Sequence, residues 1–263
     1  MNRGGPFRAG LLLALAWGVL LCSCGPKPQP RILDDRDAAA VAWSRFQTTF
    51  FQTCHPQDFS LRASVNVASP ERHSRFLLSM WGRTTFPIRL DIQAGVGAML
   101  AHWREDESGW IGYAPSAREA YLAESVREGA QMAGLFMPLR LDSLAQILLG
   151  CWESISGPEY DRVDLLGDNF AFETTRDSVP LILVLAPDGR PVSASRGNGD
   201  LWTVGIDQWD NAAVPTPRRI SLTQGEQSAV IRIQRLDTDI APWKAEELRL
   251  DLPPGTTLWT ISD

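Results

Sequence analysis

Histidine, acidic and cysteine side chains are the groups of this chain that could do chemistry, and their spacing fits no common catalytic or metal-binding motif. The histidines are scattered at His55, His73 and His102. The acids Asp161, Asp164 and Asp168 lack calcium-loop spacing and are expected in a solvated loop. The sequence contains no HExxH, GxSxG or CxxC motif and no phosphate-binding glycine loop. We therefore expect no enzyme activity, no cofactor and no metal.

The cysteine at position 24 has a context that favours lipid modification. Arg3 and Arg8 precede an apolar run at residues 11–21, which is the layout of a secretion signal. The run is shorter than the about 20 apolar residues of a transmembrane helix. The sequence Leu21-Cys22-Ser23-Cys24 resembles a lipobox, with a small residue directly before the modified cysteine. We predict a lipoprotein signal peptide over residues 1–23, cut before Cys24; an uncut anchor or an ordinary signal peptide is the alternative.

The residues after Cys24 predict a tether. Three prolines between Gly25 and Arg31 lack N–H donors and favour an extended chain over residues 24–33. Resemblance to bacterial lipoproteins implies acyl chains such as palmitate on Cys24, and these anchor a protein stably to a membrane. An Asp directly after the lipidated cysteine retains such proteins in the inner membrane. Because Gly25 stands there, we expect the periplasmic face of the outer membrane.

Charge and composition limit the partners of the mature chain. Removal of the signal takes away two arginines and no acid, which leaves 23 Lys and Arg against 31 Asp and Glu, or −8. Nucleic acid is therefore not an expected partner. Residues 34–263 can form one mainly β domain with a substantial core. Cys54 and Cys151 either form a structural disulfide, which the compartment permits, or stay apart.

Apolar periodicity predicts a curled antiparallel sheet with a few helices. Residues 34–51 have helical spacing, and residues 61–67 begin six consecutive strands in which apolar and polar residues alternate. Residues 105–109 are expected to be a polar turn. Helices are predicted over residues 125–133 and 141–149, the second capped by Asp142 or Ser143 and ended by Gly150. Strands resume near Phe170 and end with one at residues 247–252.

Two segments resemble the outer-membrane lipoprotein receptor LolB and its periplasmic partner LolA. Residues 137–150 are similar to the family's lid helix, and residues 89–97 are similar to the strand and loop that carry one exposed apolar residue. The chain departs from the family pattern at several points: Val96 replaces leucine, Ala94-Gly95 replaces Asn-Pro, Ile147 replaces tryptophan, and the C-terminal half is longer.

The resemblance implies a half-open β-barrel of about 11 strands whose apolar concave face is covered by a helical lid. It also implies that this face binds acyl chains, and that Val96 touches the membrane. The same residues could equally be filled core. The expected cavity residues are Leu61, Ala63, Val65, Leu78, Met80, Ile88, Leu90, Ile92, Met99, Trp103, Leu141, Leu144, Ile147 and Leu148.

Two functions follow from these patterns. The first is a LolB-like protein that accepts lipoproteins, with a periplasmic LolA-like carrier as the candidate donor, and inserts them into the outer membrane. Transfer of this kind needs no nucleotide, because the cavity and the bilayer offer an acyl chain the same gain. The alternative is an assembly lipoprotein that keeps the fold with a filled core and holds an envelope complex. A surface-anchored hydrolase is a more distant third hypothesis.

Overall fold

The computed structural model describes residues 36–51, 54–132, 135–176, 178–197, 201–212 and 214–260. The helices are α1 (Arg36–Phe50), α2 (Val126–Met132), α3 (Leu141–Leu148), α4 (Glu153–Ser156) and a 3-10 helix (Ala245–Leu248). The strands are β1 (Asp58–Ala68), β2 (His73–Arg83), β3 (Ile88–Ala94), β4 (Met99–Asp106), β5 (Gly109–Ala114), β6 (Glu119–Ala123), β7 (Arg162–Leu166), β8 (Asn169–Arg176), β9 (Val179–Leu185), β10 (Pro191–Arg196), β11 (Trp202–Trp209), β12 (Pro217–Gln224), β13 (Gln227–Asp237) and β14 (Thr257–Thr260).

These strands form one curled sheet in the order β14-β6-β5-β4-β3-β2-β1-β13-β12-β11-β10-β9-β8-β7. Neighbours are antiparallel, except that β14 runs parallel to β6. β1 joins the two halves of the chain through β13, with Leu61 opposite Leu236 and Val65 opposite Ile231. β7 and β14 are the two edges, so the sheet does not close. The predicted single curled sheet is confirmed, and its 14 described strands exceed the predicted number.

Alternation along the strands gives the sheet an apolar concave face. In β1, Leu61, Ala63 and Val65 are buried and Arg62 is exposed. Side chains of successive strand residues point to opposite faces, so every second residue reaches the concavity. Antiparallel pairing then places the apolar residues of β1 beside those of β2, as Leu61 lies opposite Met80. The core therefore lies on one side of the sheet.

Helix α1 fills part of this concavity with aromatic side chains. Phe46 and Phe50 are at most 1 % exposed, and the ring centroid of Trp43 lies 4.9 Å from that of Phe172 in β8. The β9–β10 hairpin approaches the backbone of the helix closely at Gly189, where an added Cβ would lie 2.7 Å from the backbone nitrogen of Phe46. With a φ of +86° as well, this position requires glycine.

Helix α3 begins with a tertiary contact instead of the expected local cap. The residue before the helix makes no side-chain capping hydrogen bond, and Asp142 accepts from the Ser143 N–H. The predicted capping by Asp142 or Ser143 is therefore wrong. The first N–H of the helix, that of Leu141, donates to the carboxylate of Glu105 in β4 at 2.7 Å. At the other end, Gly150 has a φ of +76° and ends the helix as predicted.

The C-terminal segment crosses the outer face of the sheet without forming the strand predicted over residues 247–252. Its backbone is bound by arginine side chains: Arg104 Nε donates to the Leu248 carbonyl at 3.0 Å, and Arg89 Nη1 donates to the Arg249 carbonyl. Leu248 is buried beside them. Since these carbonyls already have side-chain donors, strand pairing is not needed to satisfy them. The described part of this segment then forms β14 at the sheet edge.

Candidate functional site

The structure brings most of the predicted cavity residues together, but as close-packed core. Helix α3 lies on the concave face with Leu141, Leu144, Ile147 and Leu148 all fully buried. The sheet residues beneath are equally inaccessible. Those at no more than 1 % exposure are Leu61, Ala63, Met80, Ile88 and Leu90. Under α3 the lid is therefore closed on the sheet.

An apolar cavity remains at one end of this core. Its volume is about 130 Å³, and four of the predicted residues line it: Val65, Leu78, Ile92 and Trp103. They come from four adjacent strands, and Leu78 lies directly opposite Ile92 in the β2–β3 pairing. Val67 and Phe76 are the other apolar residues on the sheet side. Met99 is half-buried and belongs neither to this lining nor to the hydrophobic core.

The cover of this cavity was missed by sequence reasoning. Leu135, Phe136 and Met137 lie over it, half-buried, in the irregular segment between α2 and α3. Three successive apolar residues directly before a proline, outside any helical or strand period, are the signal that could have identified them. These three residues and α3 together form the lid of the concave face.

Glu105 connects the sheet to both helices at this face. Its side chain is fully buried. Its carboxylate accepts hydrogen bonds from the N–H of Leu141 at 2.7 Å and from that of Val126 at 3.4 Å, which are the first residues of α3 and α2. Burial raises the pKa of Glu105 above its ordinary value. The two amides and the Arg140 guanidinium, 3.8 Å away, offset this rise only in part. The sequence placed Glu105 in a polar turn, but it belongs to β4.

The β3–β4 hairpin ends in the exposed apolar residue that the sequence predicted. Val96 is 93 % exposed, at the tip of a turn in which the Gly97 N–H donates to the Ala94 carbonyl at 2.8 Å. None of the described residues shields the tip, since an added Cβ at Gly95 or Gly97 would meet nothing within 4 Å. The valine is therefore free to touch another surface.

Cys54 and Cys151 form a disulfide with their Cα atoms 4.9 Å apart. The bond links the segment after α1 to the segment after α3, across 97 residues of sequence. It therefore holds the end of the lid helix next to the end of the helix that fills the other half of the concavity.

Two larger clefts are lined by more charged and polar residues than the apolar cavity. One of about 650 Å³ lies between α3 and strands β9–β11 and includes Arg127, Glu128, Arg140 and Asp142. The other, about 680 Å³, lies beside the disulfide, and most of the residues that line it are polar or charged. A small-molecule site is normally apolar with a few convergent polar groups. The smaller apolar cavity is thus the better candidate despite its size.

Several predicted features fall outside the described residues. These are the signal peptide over residues 1–23, the tether over residues 24–33 and the lipidation site Cys24. Of the helices that are described, none has the length and apolar character to cross a membrane. Within the same ranges, no three His, Cys, Asp or Glu side chains are grouped so that they could hold a metal ion.

Comparison with known proteins identifies the fold. No protein-family model matches the chain, and no curated protein sequence does. Its structure is similar to that of a LolA superfamily protein from Nitrosomonas europaea, with a TM-score of 0.52 and 14 % identity over 78 % of this chain and 94 % of the other. A domain from Vibrio parahaemolyticus named for outer-membrane lipoprotein sorting has a TM-score of 0.49 and 10 % identity, over 80 % of this chain and 94 % of the other. The assignment rests on the first of these structures: the chain has a LolA-like fold.

Proposed function

We propose that this protein is a membrane-anchored carrier, not an enzyme, that holds an acyl chain between the concave face and the lid and delivers it to the outer membrane. The observation that carries the proposal is the apolar cavity lined by Val65, Leu78, Ile92 and Trp103. Lipoproteins and other acylated lipids are the proposed clients. Delivery by a periplasmic LolA-like carrier is the proposed route by which clients arrive.

Binding of the acyl chain itself would draw on the hydrophobic effect. Each buried CH₂ contributes about 0.8 kcal/mol and needs no directional contact. The cavity of about 130 Å³ is smaller than the roughly 300–1,000 Å³ of a typical ligand site. A long acyl chain therefore needs more room, which displacement of Leu135, Phe136 and Met137 would provide. Their half-buried side chains have the least packing to lose among the apolar lid residues.

The exposed valine supports a delivery step. Val96 and the cavity residue Ile92 are four residues apart on the same hairpin, which at strand spacing is at most roughly 13 Å. A hairpin tip that touches lipid would thus bring the cavity to the bilayer surface. Acyl chains on Cys24 would keep the protein at that membrane, on its periplasmic face.

A cavity-filling substitution tests the proposal. The unlipidated protein is expected to take up a fluorescent fatty acid, and Val65→Phe is expected to reduce uptake severalfold by occupying the cavity. Val41→Phe makes the same chemical change at a half-exposed site of α1 and should leave uptake unchanged. Circular dichroism checks that both variants fold, because overpacking costs about 1–3 kcal/mol. A folded Val65→Phe protein with the parent's uptake would refute the site.

The packed core under α3 favours one alternative function. Leu141, Leu144, Ile147 and Leu148 are as inaccessible as ordinary core residues. A protein that keeps this fold as a filled scaffold, and holds an envelope complex through its surface, would have the same packing. The scaffold predicts that the parent protein takes up no fatty acid, whereas the carrier predicts saturable uptake.

A further inference from the structure

One arginine sits at the rim of the apolar cavity. Among the described residues that line it, Arg72 alone is charged, and the rest of the polar rim is uncharged: Ser69, Ser74 and Gln227. Arg72 lies in the β1–β2 turn, where its N–H donates to the Ser69 side chain at 3.2 Å. This backbone contact fixes the turn and leaves the guanidinium unused.

The Arg72 guanidinium is available for a ligand. Its side chain is exposed, and among the described residues no carboxylate or carbonyl forms an ion pair or hydrogen bond with it. Two other arginines of this sheet are paired instead: Arg235 with Asp237 and Arg83 with Asp58. A free cation beside an apolar cavity is complementary to an anion that carries an apolar tail.

Strand β2, which follows Arg72, carries side chains along which such an apolar tail could lie. Ser74, Phe76 and Leu78 alternate along β2 and all line the cavity, so they form a strip of roughly 13 Å. The strip leads to Ile92, which lies opposite Leu78. A ligand with its head at Arg72 would therefore extend its chain along β2 into the core. The first of the strip's residues is a serine, which suits the polar end of the ligand.

We propose that this cavity selects amphiphiles with an anionic head, a phosphate or carboxylate held by Arg72, and an acyl chain directed along β2. The inference rests on the proposed function, because it uses the same cavity, and adds the chemical class of the ligand to it. It distinguishes anionic lipids from neutral acyl chains, which the apolar lining alone cannot do.

Three probes with the same tail test the selection. Octyl phosphate, octanol and octyltrimethylammonium differ only in the head group, and each can be measured as a monomer by isothermal titration calorimetry. We expect octyl phosphate to bind about fivefold more tightly than octanol at low salt, the size of one exposed ion pair. Octyltrimethylammonium should bind most weakly. Inorganic phosphate without a tail should not bind.

Two matched variants locate the effect. Arg72→Gln should bring the affinity for octyl phosphate down to that for octanol and leave octanol binding unchanged. Arg75→Gln, an exposed arginine of the same strand that lies outside the cavity lining, should keep the parent's preference.

The outcomes that contradict the selection are distinguishable. Equal affinity of the parent for octyl phosphate and octanol would overturn the anionic selection and leave the apolar cavity intact. The selection is also overturned if Arg72→Gln keeps the preference, or if inorganic phosphate binds as well as octyl phosphate. Absence of binding by all three octyl probes would overturn both this inference and the proposed carrier function.

Discussion

Two residues outside the packed apolar core allow the sharpest tests at the residue scale. Val96 is exposed at a hairpin tip, and Glu105 is buried where the sheet meets the lid. Val96 has no partner in the described part of the fold, whereas Glu105 has several. Changes at Val96 should therefore alter only what the protein does at a membrane, whereas changes at Glu105 should alter how the fold responds to pH.

Val96→Glu is predicted to reduce transfer of bound lipid to liposomes while it leaves uptake of the fluorescent fatty acid unchanged. A charge at the tip opposes contact with the bilayer interior, but an exposed site costs the fold at most about 0.5 kcal/mol. Val96→Leu should transfer at least as well as the parent. Val41→Glu, at another exposed valine, is the control and should transfer normally. Normal transfer by Val96→Glu would show that the hairpin does not touch lipid.

Glu105→Gln is predicted to remove a pH-dependent part of the stability. Burial raises the pKa of Glu105 in the folded protein above the ordinary value of 4.5. A group of this kind contributes stability that is fully present below its unfolded pKa and is lost as the pH rises through its folded pKa. As the pH rises above about 4.5, the parent should therefore lose stability, in urea unfolding, that the variant does not lose. Glu107→Gln, at an exposed acid nearby, should follow the parent. If the free energy of unfolding of the parent and that of Glu105→Gln change in parallel with pH, the pH-dependent role of Glu105 is contradicted.

At the scale of elements, the disulfide covalently links the segment after α1 to the segment after α3. It closes a loop of 97 residues that contains β1–β6, α2 and α3. Replacing both cysteines, Cys54→Ala and Cys151→Ala, is predicted to lower the free energy of unfolding by about 2–5 kcal/mol. Urea denaturation of the double variant and of the reduced parent should agree. An unchanged midpoint in both would mean that the bond adds nothing to the fold.

The sequence predicted the elements that have one buried face and failed for those that do not. Helix α1 and strands β1–β6 follow their periodicity because their side chains divide between core and solvent. β14 was missed because all four of its residues are exposed, and an exposed edge strand has no alternation to detect. β7, the other edge, was expected to be a solvated loop, although Val163 and Leu165 alternate with exposed residues and pack against the core, so here the alternation was overlooked. The strand predicted over residues 247–252 is wrong because Arg89 and Arg104 bind its carbonyls.

The candidate site was predictable in its sheet half and not in its cover. Val65, Leu78, Ile92 and Trp103 were identified because strand alternation places them on the concave face. Tertiary packing decides which concave residues border an empty volume, and no local pattern encodes that. The role of Glu105 likewise depends on two helices that are distant from it in sequence.

At the scale of the whole molecule, the proposed delivery of lipid depends on the anchoring of the protein to the membrane. Cys24→Ala is predicted to abolish acylation and to release the protein from the membrane, because the proposed anchor is the acyl chains on this cysteine. Fractionation with a high-salt wash, followed by mass determination of the N-terminal peptide, measures both effects. The released protein should still take up fatty acid, because the cavity lies in the sheet. Retention of Cys24→Ala in the washed membrane pellet would contradict the anchor.

Photo-cross-linking tests most directly whether an acyl chain lies between the concave face and the lid. A fatty acid with a diazirine in its tail is bound to the unlipidated protein and irradiated, and the labelled peptides are identified by mass spectrometry. We predict labels on the cavity residues of β1–β4 and on Leu135, Phe136 and Met137, competed away by unlabelled fatty acid. Labels confined to the outer face of the sheet, or labelling that competitor does not reduce, would contradict acyl-chain binding in this cavity.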